Sequence, residues 1–437
     1  MPSRRPFALI GAAVFTGETI DSGRAVIIDG DTIQAVVPAA DLPAGLARVP
    51  LAGGLLAPGF IDLQVNGGGG VLFNDHPDPA ALRTITTAHR RFGTTGLMAT
   101  LISDQESVRR RAAAAVRAAG AAGMPGLLGL HFEGPHLNPA RAGVHQRHHL
   151  RPLTNADLAW MVNLDLGAPL MVTLAPEIAG AEAISTLANG GIVVAAGHTD
   201  ASYTQMNAAF RAGVTCVTHL FNAMSPLTSR EPGAVGAALD AEHVYCGIIV
   251  DGHHVHDATL RIAWRSKARG RLFLVTDAMP PVGTAPAAAP QADTPPAGGN
   301  RPDTPSPGYD LPGYDPPGFD LQGTAIRVED GLCRTEDGRL AGSTLDMATA
   351  VRHCVTRLGL PKEEALRMAA MYPAHCLGLA HRLGRIAPGY RADLVLLDDL
   401  FDSTDDMILS EGGTSGGQAL DGRRLVRQTW IAGVPAP

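Results

Sequence analysis

The chain has 437 residues, 45% hydrophobic and 18% charged, with a formal net charge of −7. That suffices for a large core in two or three domains, and it excludes the basic footprint of a nucleic-acid binder. Five cysteines (Cys216, Cys246, Cys333, Cys354 and Cys376) form no C-x-x-C pair, which argues against a disulfide framework or thiolate zinc cluster and for a reducing cytoplasm.

Arg4 and Arg5 precede an apolar stretch over 7–15. The stretch is short and lacks a small-x-small cleavage site, so it reads as a first strand rather than a secretion signal. No run approaches the ~18 apolar residues of a membrane helix, so no membrane partner is expected. Runs at 25–28 and 33–37 flank Asp29-Gly30-Asp31, a hairpin signal. Compact apolar runs return at 393–397 and 425–431. The terminal segments 1–57 and 385–437 are therefore expected to share a small β-sandwich domain, leaving 58–384 for the rest.

That middle region is regular. Apolar runs occur at 55–65, 96–102, 127–132, 170–174, 192–196, 216–220, 245–250 and 272–276. Helical spacing follows, as at 79–92 and 104–119, with N-caps expected at Asp78 and Ser103 and a closing helix at 345–358. Continuous apolar strands alternating with helices mean a parallel sheet covered on both faces. Eight such units predict an α/β fold, a (β/α)8 TIM-like barrel. A doubly wound open sheet is the alternative, but no strand is followed by a G-x-G-x-x-G turn. Residues 283–320 interrupt the pattern with Pro, Ala, Gly and Asp, and end in a repeat carrying Tyr309, Tyr314 and Phe319. Such a segment has too little apolar content to offset its ordering entropy, so a mobile, repeat-expanded loop is expected in preference to a lid that stacks these aromatics on substrate.

Active sites of such barrels form at the C-terminal strand ends. Those ends carry Asp62, Gln64 and Asn66, then Glu133, His198, His219, His253 and His254, and Asp277. An isolated histidine is ordinarily a hydrogen-bonded core or surface residue, the reading given to His89, His353, His375 and His381 in helical segments and to His76, His148, His149 and His243 in loops. Glu or His side chains on four separate strand ends reverse that expectation. One Glu and two His leave an open position, as in hydrolytic zinc sites.

Several strings carry a more specific signal: His131-Phe132-Glu133-Gly134-Pro135-His136, Pro58-Gly59-Phe60-Ile61-Asp62, Gly197-His198-Thr199, His219-Leu220-Phe221-Asn222-Ala223-Met224, Arg230-Glu231-Pro232-Gly233, Asp251-Gly252-His253-His254 and Thr276-Asp277-Ala278. Together these resemble the amidohydrolase superfamily and, within it, the N-acetylglucosamine-6-phosphate deacetylases. The resemblance implies one divalent metal on Glu133, His198 and His219, for which zinc is the first expectation and iron, cobalt or manganese fit as well. Gln64 and Asn66 stand where most relatives carry the His-x-His of a second metal, and neither lysine, Lys267 or Lys362, lies at a strand end, which excludes a lysine-bridged binuclear centre. It further implies Asp277 as acid–base residue and His145 as carbonyl-polarising residue. Gln64, Asn66, His145, Asn222, Ala223, Arg230, His254 and the segment Leu340, Ala341, Gly342 are implied to bind substrate. A homodimer is implied, with Arg230 and His254 as candidates to act across its interface. Other acylated amines, among them N-acetylgalactosamine 6-phosphate or an N-acyl amino acid, are alternative substrates, and a catalytically silent scaffold is the alternative outside enzymology.

Overall fold

The computed structural model describes residues 5–284, 318–398 and 425–436; Tyr309 and Tyr314 lie outside them. The apolar runs become eight parallel barrel strands: Phe60–Val65, Thr94–Ile102, Leu127–Glu133, Leu170–Leu174, Val193–Ala196, Val214–Val217, Tyr245–Ile248 and Leu272–Leu274. Each pairs with its neighbour in chain order. Every residue of Thr94–Ile102 is buried, as a strand covered on both faces requires.

The ladder runs from the first strand to the eighth without closing between those two among the described residues. Single contacts span the seam instead: a bridge between Val65 and Ala278 and a bond from Asp277 N to Gln64 O at 3.0 Å. The result is a nearly closed TIM-like barrel.

The run at 55–65 divides at Gly59. Leu55–Pro58 pairs with Leu394–Leu397 in a six-stranded sheet, while Phe60–Val65 enters the barrel. A Cβ at Gly59 would lie 2.2 Å from the Thr95 side chain, so only glycine permits this handover. The six-stranded sheet and a four-stranded one (Thr32–Pro38, Arg24–Asp29, Phe7–Ile10, Ala47–Pro50) form the terminal β-domain. Leu9, Val26, Ile28 and Ile33 meet Val14, Leu56, Leu394 and Trp430 between them.

Helix starts follow the sequence in one case and not in another. Asp78 caps Pro79–Arg90, accepting from Ala80 N and Ala81 N. Ser103 does not cap: the next helix begins at Glu106 behind Gln105, and the Ser103 hydroxyl is turned toward His145. The closing helix, Met347–Thr356, is followed by Lys362–Ala369 and Met371–Cys376.

After the eighth strand, Phe319–Leu321, Thr324–Glu329, Leu332–Thr335 and Leu340–Ser343 form an antiparallel sheet over the strand ends, joined to the barrel by a bridge from Ser343 to Ala278. Phe319, half-buried, packs against the apolar cluster that contains Leu72, Ile102 and Met279. Among the described residues no helix is long and apolar enough to cross a membrane.

Candidate metal centre and substrate pocket

Glu133 ends the third strand; His198 and His219 follow the fifth and sixth. Glu133 Oε1 lies 3.2 Å from His198 Nε2 and 3.0 Å from His219 Nε2, and the two nitrogens are 3.1 Å apart. All three residues are buried. They form the one group of potential ligands close enough for a shared ion among the described residues.

Hydrogen bonding shows that the group fits a cation. His198 Nδ1 lies 2.9 Å from the carbonyl of Arg141. A carbonyl only accepts, so Nδ1 carries the proton and a neutral His198 turns the Nε2 lone pair toward the Glu133 carboxylate. That juxtaposition requires positive charge between them. Burial pushes the Glu133 carboxyl up, yet its contacts with His198 and His219 hold it well below its usual range; burial pushes the His219 imidazole down, and the Glu133 carboxylate raises it.

The backbone is bent to achieve this convergence. His198, His219, Phe221, Ala223 and Asp277 all adopt positive φ, with His198 at 48° and Asp277 at 53°. Non-glycine residues hold such conformations only where their surroundings over-determine them, and these cluster at functional sites.

Asp277 lies across from the trio. Its Oδ1 accepts from Gln64 Nε2 at 3.0 Å and Asn66 Nδ2 at 2.7 Å. Burial, and then the Glu133 charge, raise its pKa above the usual carboxylate value. The Gln64 amide also donates to Glu133 Oε1 at 3.1 Å, tying the cluster to Asp277.

His145 is buried beside the trio, its Nε2 4.0 Å from Glu133 Oε2. The Ser103 backbone N–H donates to its Nδ1 at 3.3 Å, which makes Nδ1 an acceptor and places the proton on Nε2. Burial, followed by the neighbouring His198, lowers its pKa to about 3, so the ring is neutral. Its loop is clasped on the far side by Arg339 NH1 to Gly143 O at 2.8 Å and Gln146 Nε2 to Thr324 Oγ1 at 2.8 Å.

A cavity of about 200 Å³ opens above these groups, lined among others by Asn66, His145, Asn222, Ala223, His254 and Asp277. The other expected substrate residues divide. Leu340 and Gly342 line it, whereas the strand alternation turns Ala341 into the core. Gln64 sits beneath the cavity, engaged with Glu133 and Asp277 rather than lining it. Arg230 is exposed on a loop outside the cavity and has no ion pair among the described residues; the adjacent Glu231 accepts from Tyr203 N and Gly233 N. His253 is exposed, while His254 faces inward with Nδ1 2.6 Å from Asp251 Oδ2.

His89 is the hydrogen-bonded core residue expected of it, buried with Nε2 2.9 Å from the Gly67 carbonyl behind the first strand end. Residues not singled out from sequence also serve the site. Ser103 and Asp251 orient His145 and His254; the Asp251-Gly252-His253-His254 string was visible, but the Asp–His contact in it was not. A larger cavity of about 430 Å³ lies by the start of the eighth strand, away from the ligands, and its buried cations are engaged: Lys267 donates to the Ala238 carbonyl and Arg367 to Glu364.

The sequence signature of the amidohydrolase family matches residues 55–295 and 318–434, and that of the NagA composite domain matches 7–56. An N-acetylgalactosamine-6-phosphate deacetylase of Shewanella sp. (strain ANA-3) is 42% identical over 80% of both chains. An N-acetylglucosamine-6-phosphate deacetylase of Haemophilus influenzae is 33% identical over 89% of this chain and 94% of its own. Among solved structures, the N-acetylglucosamine-6-phosphate deacetylase of Pasteurella multocida superposes with a TM-score of 0.84 at 31% identity, covering 98% of this chain and 99% of the other. A mutant of the Mycobacterium smegmatis enzyme in complex with N-acetyl-D-glucosamine-6-phosphate gives 0.81 at 30% identity, covering 99% and 100%.

Proposed function

This chain belongs to the amidohydrolase family, and on that premise we propose that it deacetylates an N-acetylhexosamine 6-phosphate, releasing acetate and the amino-sugar 6-phosphate. One observation carries the reading: a buried Glu133–His198–His219 ligand set faces the carboxyl of Asp277, which is fixed on one oxygen only.

A divalent ion held by those three residues supplies Lewis acidity and lowers the pKa of water toward ~7. Zinc suits the donor set, and iron, cobalt or manganese fit it too. With Oδ1 engaged by two amides, Asp277 uses Oδ2 to take the proton of the attacking water. Its raised pKa makes it the stronger base and, once protonated, the donor to the amine nitrogen, which must leave neutral. His145 points Nε2–H at the acetamide oxygen, where negative charge develops as the carbonyl carbon becomes tetrahedral. His254, with its Nδ1 held by Asp251, offers its other nitrogen to the phosphate, together with backbone near Asn222 and Ala223. Arg230 completes the phosphate site from a second subunit, a reading supported by its exposure outside its own chain's cavity.

N-acetyl-D-glucosamine 6-phosphate is the substrate expected from the sequence strings. The 42% identity to an N-acetylgalactosamine-6-phosphate deacetylase favours the other epimer as a second reading. Amine release from both phosphorylated epimers and from the unphosphorylated sugars, using zinc-reconstituted protein, tests the proposal. A large preference for one phosphorylated sugar supports it; turnover of none, with zinc bound, overturns it.

A further inference from the structure

The fourth strand contributes no ligand to the metal trio, yet the turn that follows it, Pro176–Ala179, holds a carboxylate engaged on both oxygens. Glu177 Oε1 accepts from Asp200 N at 2.7 Å and from Asn138 Nδ2 at 2.9 Å. Glu177 Oε2 accepts from Thr199 Oγ1 at 2.5 Å.

Both sets of contacts lead to His198. Thr199 and Asp200 follow it directly, so Glu177 grips the chain where His198 leaves the ordinary range at φ 48°. Asn138 approaches from the opposite side. Its backbone N–H donates to His198 O at 2.9 Å, and its side chain caps the turn Pro139–Arg141. That turn presents the Arg141 carbonyl to which the His198 ring donates. One carboxylate thus joins the segment that sets the His198 backbone to the segment that sets its ring.

We propose that Glu177 is the positioning residue of the metal centre, holding His198 so that Nε2 converges with Glu133 and His219. It touches neither substrate nor metal, and its effect passes through His198. The proposal rests on the metal reading of the trio and is independent of the substrate.

The test is the zinc dissociation constant of the full chain, measured by competition with a chromophoric chelator, for the native protein, Glu177→Ala, Glu177→Gln and Thr199→Val. Loss of such outer partners typically costs 10–100-fold in metal affinity, and a loss of about that size is expected for Glu177→Ala. Its metal-free melting temperature should stay close to native. Glu177→Gln should restore most of the affinity: its oxygen still accepts from Asp200 N and Asn138 Nδ2, and its amide can donate to Thr199 Oγ1. Thr199→Val, which removes the Oε2 bond to Glu177 together with the acceptor of Ala201 N at 3.1 Å and leaves the two bonds to Glu177 Oε1 in place, should show a smaller loss and serves as the test if the alanine variant does not fold. Native affinity in Glu177→Ala or in Thr199→Val, or equal losses in Ala and Gln, would overturn the proposal. A native chain that binds no zinc would overturn the metal reading with it. Zinc affinities in the expected order without turnover of either sugar would support Glu177 and overturn the substrate reading alone.

Discussion

Asp62 Oδ2 and Thr276 Oγ1 lie 2.5 Å apart across the seam between the first and eighth barrel strands. Asp62 Oδ1 accepts from Gln64 N and Thr276 N at 3.2 and 3.3 Å, so one fully buried side chain spans a gap that the strand ladder leaves open. Burial raises its pKa to about 7 from 3.8, against the lowering effect of these bonds. The folded chain therefore holds a proton that the unfolded chain has released. Stability from this group is full below pH ~4 and is lost as pH rises through about 7, a change on the order of 4 kcal/mol. Asp62→Asn keeps the shape of the neutral acid. Urea denaturation at several pH values should show the variant gaining on the native protein between pH ~4 and ~8; a difference independent of pH would refute a buried neutral Asp62.

Asp277→Asn separates acid–base chemistry from metal binding. Asp277 is not one of the three ligands, so zinc should bind with near-native affinity. Loss of a positioned general base costs about 10²–10⁴ in rate, and kcat should fall within that range while KM changes little. A zinc-free Asp277→Asn protein would instead make Asp277 a ligand.

His145→Gln should lower kcat by about 10²–10³, the cost of removing one donor to a developing oxyanion. Its Nε2 is 4.0 Å from Glu133 Oε2 and outside the ligand group, so zinc affinity should stay close to native. Ser103→Ala retains the backbone N–H that sets the His145 tautomer and removes the hydroxyl, with its contacts to His145 Nδ1 at 2.8 Å and to the Glu133 carbonyl at 3.4 Å. Its loss should be the smaller of the two. Steady-state kinetics beside a zinc titration checks both.

The barrel was legible because its strands are buried on both faces and so read as unbroken apolar runs, and because ligands at strand ends fall at fixed places in that rhythm. Orientation within a strand was not legible at Leu340–Ser343, where Leu340 and Gly342 line the cavity and Ala341 faces the core. Nor were the supports of the site. Ser103 meets His145 42 residues away and looked like a helix cap, because the same hydroxyl suits either task. Gln64 reaches Asp277 across 213 residues of chain, a contact that only barrel closure creates. His89 was legible as a hydrogen-bonded helix residue, but its partner was not, because the bond to Gly67 O depends on how that helix packs on the first strand end.

Arg230 offers a test of whether one active site draws on two chains. It is exposed and outside the cavity of its own chain, so a role in phosphate binding requires delivery to a neighbour. Arg230→Ala should raise KM for the phosphorylated sugar far more than it lowers kcat, because arginine binds phosphate in both ground and transition states. Mixing decides between the two geometries. Assayed with substrate well below the raised KM, Arg230→Ala and His219→Asn subunits should each be weakly active or inactive alone. If the chain is a homodimer, about half of the dimers formed when the two variants are unfolded together and refolded at equal amounts are mixed. If Arg230 acts across the interface, each mixed dimer pairs an intact ligand set with the intact arginine of its partner, restoring one site in two. Activity should then return to about a quarter of native. If Arg230 acts within its own chain, every site in the mixture lacks either the arginine or a ligand, and no activity returns.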